Sequence, residues 1–117
     1  MALRRRSIME QRVVRLIRGE RPDAMPSVPA MQFGRLRDLA VRNALVIHPP
    51  GTPFLSVNEL TLLGWLALAQ RVAGYRRQFH PDAMLTMTVV HCAGTLDALG
   101  IHLPPLTFCG VGRTDAG

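Results

Sequence analysis

The sequence predicts an all-α fold: a small three- to four-helix bundle with an antiparallel C-terminal helical hairpin and a basic N-terminal helix. Three observations carry this expectation. Apolar residues recur at spacings of three and four in separate stretches of the chain. Helix start and stop signals bracket those stretches, clearest at Ser56–Glu59 and at Gly100. And 117 residues, 48% of them hydrophobic, suit one compact domain that buries a core without metal or disulfide support. The expected layout is a single domain over 1–117. It comprises a basic amphipathic helix (1–18), a Pro-rich linker (19–30), a helical core (31–108) and a flexible tail (109–117).

The first helix is expected over about Arg5 to Arg18. Met9, Val13, Leu16 and Ile17 share one face, and Arg12, Arg15 and Arg18 recur at three-residue intervals on another. Gly19 makes a stop. "GERPDAMPSVPA" holds three prolines and no periodic pattern, so it reads as a linker that leaves the first helix mobile or free to pack on a second copy. "MQFGRLRDLAVRNA" predicts a second helix with Phe33, Leu36, Leu39 and Ala40 inward. "ALVIHPP" is balanced between an extended stretch and a last helical turn.

The third helix has the strongest start signal. Ser56 and Glu59 have capping-box spacing, and Leu55 and Leu60 occupy the positions of a hydrophobic staple. A helix is expected from Val57 to about Arg77. Its run from Leu60 to Ala69 is apolar on nearly every side, which makes it the central helix that the others wrap. That run is ten residues long with Thr61 inside it, too short to span a bilayer, which takes about 20, so no transmembrane segment is expected. A last helix is expected from Pro81, capped near His80, to Leu99, with Leu85, Val89, Cys92, Leu96 and Leu99 inward.

"LSVNELTLLGWLA" followed by "TVVHCAGTLDALGI" is similar to the DNA-binding domain of LuxR-type response regulators in its capped first helix and Thr-Val opening. The likeness would cover Leu55 to Ile101, and it breaks at "VAGYRRQFHPDAM", where that family has a scaffold helix. The would-be recognition helix carries no Arg or Lys to read bases. Membership is therefore not assigned.

Charge is the most informative feature for function. All fourteen basic residues are Arg, and the net charge is +6. Residues 1–42 hold ten Arg against four acids, while 43–117 hold four against four, so the whole excess lies in the first third. Such asymmetry favours an acidic partner, whether nucleic acid, an anionic membrane or an acidic protein surface, with a merely solubilising basic segment as the bland alternative. The expected contact surface is Arg4, Arg5, Arg6, Arg12, Arg15 and Arg18, extended by Arg35, Arg37 and Arg42. Tyr75, Arg76, Arg77 and His80, in "GYRRQFHPD", form a secondary candidate surface mixing cations with an aromatic face.

Chemistry-bearing constellations are weak. His48, His80, His91 and His102 with Cys92 and Cys109 lack paired zinc-ligand spacing. The two cysteines suggest reduced thiols in a cytoplasmic protein. No nucleophile–base pairing, paired carboxylates or phosphate loop is visible, so no enzyme activity, metal or cofactor is expected. The expected function is non-enzymatic binding, possible partners being nucleic acid or an acidic protein. The alternative is a protein–protein adaptor or homodimer.

Overall fold

The computed structural model describes residues 2–20, 27–71 and 81–104. Within them the chain is all-helical, as expected. A 3-10 turn (Leu3–Arg5) precedes α1 (Ile8–Ile17), α2 (Ser27–Arg42), α3 (Val57–Arg71) and α4 (Ala83–Ala98). None of these helices is long and apolar enough to cross a membrane.

α1 begins at Ile8 rather than Arg5, because Ser7 caps it. Ser7 Oγ accepts from the Glu10 amide at 3.2 Å, and a Glu10 carboxylate oxygen accepts from the Ser7 amide at 2.9 Å. This is the same S-x-x-E arrangement as at Ser56. α1 does not stand off as a mobile arm: Val13, Val14, Leu16 and Ile17 are buried in the common core. The apolar stripe of α1 is too large to be left in water when α2 and α3 are at hand.

α2 starts at Ser27, inside the expected linker. Pro29 is its third residue, where the missing amide has no intrahelical acceptor to lose. Three helices then end in the same way. After α1, Glu20 N donates to Arg15 O and Gly19 N to Leu16 O. After α2, Leu45 N donates to Ala40 O and Ala44 N to Val41 O. After α4, Ile101 N donates to Leu96 O and Gly100 N to Asp97 O. Each closure needs a left-handed residue, supplied by Gly19 (φ 97°), Ala44 (φ 63°) and Gly100 (φ 77°). Residues 45–49 continue without regular structure.

α4 begins at Ala83, capped by Asp82, which accepts from the amides of Met84 and Leu85. Pro81 therefore precedes the cap instead of opening the helix. Asn43, just past α2, donates to Asp82 Oδ2 at 2.8 Å, while Gln32 near the start of α2 meets Thr95 and accepts from Cys92 Sγ. α2 and α4 are thus antiparallel neighbours. α3 and α4 are not the antiparallel hairpin expected. Gln70 at the end of α3 donates to Asp97 Oδ1 (3.0 Å) and Ile101 O (2.8 Å), and Arg71 donates to Leu103 O (2.8 Å). The C-terminal ends of α3 and α4 lie together, so the two helices run in the same sense. Residues 72–80, which hold the expected end of the third helix, lie outside the described residues.

α4 packs along both α2 and α3, and α1 packs on α2 and α3. The core lies between all four. Leu62, Leu63, Leu66 and Ala67 of α3 are buried in it, but Leu60, Thr61 and Trp65 are only half-buried. The apolar helix is a member of the bundle, not its sole axis. α4 keeps the inward pattern read from its spacing: Leu85, Val89, Cys92 and Leu96 are all fully buried.

Candidate functional site

The six N-terminal arginines fall into three environments. Arg4, Arg5, Arg12 and Arg15 are exposed. Arg6 is half-buried and ion-paired to Glu10 at 2.8 Å. Arg18 is buried and leaves the basic face altogether. The reason is geometric: three-residue steps carry a position back by about 60° round the helix, so Arg18 lies about 120° from Arg12, towards Val14.

Arg18 reaches Glu59, and the pair is among the most buried polar features described, with side chains 1% and 0% exposed. Nε and Nη2 donate to the two carboxylate oxygens at 2.7 and 2.9 Å. Nη1 donates to Thr52 O and Nη2 to Phe54 O, both at 2.7 Å. Glu59 also accepts from the amides of Ser56 (2.9 Å) and His48 (3.2 Å), so its capping box continues into this network. Ser56 Oγ caps the Glu59 amide and donates to Val46 O. One fork-to-fork pair therefore fastens the end of α1, the 46–56 connection and the start of α3. Burial pushes the Glu59 carboxyl up, but the Arg18 hydrogen bonds and charge and the two amides outweigh it, holding it below the ordinary carboxylate value.

The turn carrying Arg4 and Arg5 is folded onto α1. Gln11 Nε2 donates to Arg4 O (3.3 Å) and Arg6 O (2.9 Å), and Leu3 N donates to Pro53 O (2.9 Å), beside an Ala2–Phe54 bridge. Between this turn, α1 and residues 51–54 lies a cleft of about 610 Å³. Arg4, Gln11, Arg15, Glu20 and Phe54 line it, and Arg18 contributes to its wall with its donors committed to Glu59 and the two carbonyls. Phe54 is 58% exposed. Sequence reasoning gave no role to Phe54 and only a cap to Glu59. A carboxylate opening a nearly apolar helix is the available sign of a buried cation.

Of the extended set, Arg35 and Arg42 are exposed on α2, away from this cleft lining, and Arg37 is half-buried against Gly19. A Cβ on Gly19 would meet the Arg37 guanidinium, so this glycine serves both its turn and that approach. Tyr75, Arg76, Arg77 and His80 lie outside the described residues, as does the tail. Cys92 is buried, and burial pushes its thiol up to about 12, which removes it as a nucleophile. His91, about 100° round α4 from Cys92, is exposed. Among the described residues no three His, Cys, Asp or Glu side chains gather to hold a metal.

Comparison with known proteins finds no matching family model, no match among curated proteins and no match among solved structures.

Proposed function

We propose that the protein works by binding, and that its ligand is a nucleic acid held through the phosphates by Arg4, Arg5, Arg12 and Arg15. The observation that carries this reading is the sorting of the arginines. Among the described residues these four make no ion pair, whereas Arg6 and Arg18 each have a carboxylate. Arg4 and Arg15 also face one cleft. Neutralised phosphates release counterions, so binding weakens on a log–log salt plot with a slope of about 0.9 per contact on duplex DNA. A gel-shift series from low to moderate salt tests this. Four contacts give a slope of about −3 to −4, and Arg12→Gln with Arg15→Gln lowers it by about two. Absence of salt-dependent binding sinks the reading. Equal affinity for polyglutamate moves it to an acidic protein surface. A cytoplasmic setting accords with the free thiol of Cys92.

A second reading, a homodimer, rests on α4. Met84, Met87 and Val90 are about half exposed, and no charged residue occurs from Ala83 to Leu96. Copies that each carry +6 repel elsewhere, so this neutral apolar face is where a second copy would meet the first. Light scattering that gives a dimer, returned to monomer by Met87→Glu, supports it.

A further inference from the structure

We infer that the cleft between the N-terminal turn and residues 51–54 seats one unstacked base, so that the nucleic acid taken by the basic face is single-stranded. This rests on the nucleic-acid reading above and narrows it.

The observations converge on Phe54. Its side chain is 58% exposed and it is not part of the core cluster, so the ring adds little to folding. Its backbone, by contrast, is held firmly. Arg18 donates to Phe54 O and Thr52 O, each at 2.7 Å, and Leu3 N donates to Pro53 O at 2.9 Å. A ring on a fixed rim is a stacking platform, since every base has a π face to lay on it. Arg4 and Arg15 line the same cleft, so a base seated there would bring its flanking phosphates towards them. The space, about 610 Å³, falls in the range of roughly 300–1,000 Å³ used for small ligands. Glu20 also lines it. Its carboxylate repels phosphate and accepts from a base amino group, which favours base inward and backbone outward. A duplex keeps its bases stacked and offers only its convex backbone, whereas a single strand can splay a base into the cleft.

Fluorescence anisotropy at low ionic strength tests this with three labelled probes: a twelve-nucleotide single strand, the same strand made of abasic sites, and the corresponding duplex. The intact single strand is expected to bind about tenfold or more tightly than either of the others. Phe54→Ala is expected to weaken it about fivefold or more, to leave the abasic strand unchanged, and to be rescued by Phe54→Tyr. Thermal melting of each variant checks that the fold is kept, as expected for a change at an exposed ring. If single strand and duplex bind alike and Phe54→Ala changes nothing, while Arg4→Gln and Arg15→Gln still weaken binding, the base seat is overturned and the basic face stands. If no probe binds in a salt-dependent way, both are overturned.

Discussion

Two helices of this protein open on the same four-residue device, and the devices have different reach. Ser7–Glu10 starts α1 and Ser56–Glu59 starts α3, each with reciprocal bonds between hydroxyl, carboxylate and amides. Glu10 takes its arginine from four residues away, and that Arg6 side chain is 25% exposed. Glu59 takes its arginine from 41 residues away, and both partners are out of water. A cap fed by a neighbour only starts a helix. One fed by a distant residue also decides where another helix must end, and how the chain between them runs.

The widest separation between the two is expected on removing the arginine. Arg18→Met leaves Glu59 charged and buried, and should cost about 3–5 kcal/mol. Arg6→Met should cost less, about 1 kcal/mol, because the Arg6 end of that pair is partly in water and the Ser7 amide still bonds the Glu10 carboxylate. Urea denaturation of both variants measures the contrast. The double change Arg18→Met/Glu59→Gln removes the stranded charge while Gln keeps the capping box, and should recover part of the loss. A double variant no more stable than the single one would show that the charge is not what matters.

Acid should separate them next. At both glutamates burial raises the carboxyl, but hydrogen bonds from arginine and backbone outweigh it, for a net shift downwards. A carboxyl whose folded value lies below its unfolded one, near 4.5, contributes stability that is complete above the unfolded value. That stability is lost as pH falls through the folded value. Melting temperature should therefore fall below about pH 4.5, and Glu59→Gln should flatten that acid limb more than Glu10→Gln does. Equal flattening would mean that the two sites are energetically alike.

Smaller effects should come from the hydroxyls. Ser7→Ala and Ser56→Ala should each cost about 1 kcal/mol, with Ser56 the larger because its hydroxyl also donates to Val46 O. At the other ends of the helices, Ala44 holds a left-handed conformation that Gly19 and Gly100 adopt without strain. Ala44→Gly should stabilise by up to about 1 kcal/mol, and Gly100→Ala should cost about as much, since a Cβ there meets open space and only the backbone angle resists. Thermal melts of the pair check the symmetry.

Local signals in the sequence were readable, and distant pairings were not. The inward positions of α4 and the stops at Gly19 and Gly100 follow from spacing and from glycine chemistry alone. Ser7–Glu10 is an equally local signal, with the same four-residue spacing as Ser56–Glu59. The direction of α4 relative to α3 depends on Gln70, Arg71 and the 101–103 backbone, whose meeting no periodicity encodes. Chain order alone suggests a hairpin, because consecutive helices joined by a short connection usually pack antiparallel. Arg18 looks like Arg12 and Arg15 until its partner is known, and the partner lies on another helix. The cleft depends on the turn folding back onto residues 53–54, a contact with no sequence signature.

Cys92 gives the molecule an internal clock. Its thiol is fully buried, donates to Gln32 O across the α2–α4 contact, and resists ionisation up to about pH 12. A thiol reagent modifies it only when the two helices part. In a Cys109→Ser background, the rate of labelling under native conditions therefore counts how often α4 lifts from α2. Comparing that rate between Arg18→Met and the parent protein would tell whether losing the clasp on the α1–α3 side loosens the far side of the bundle or leaves it shut.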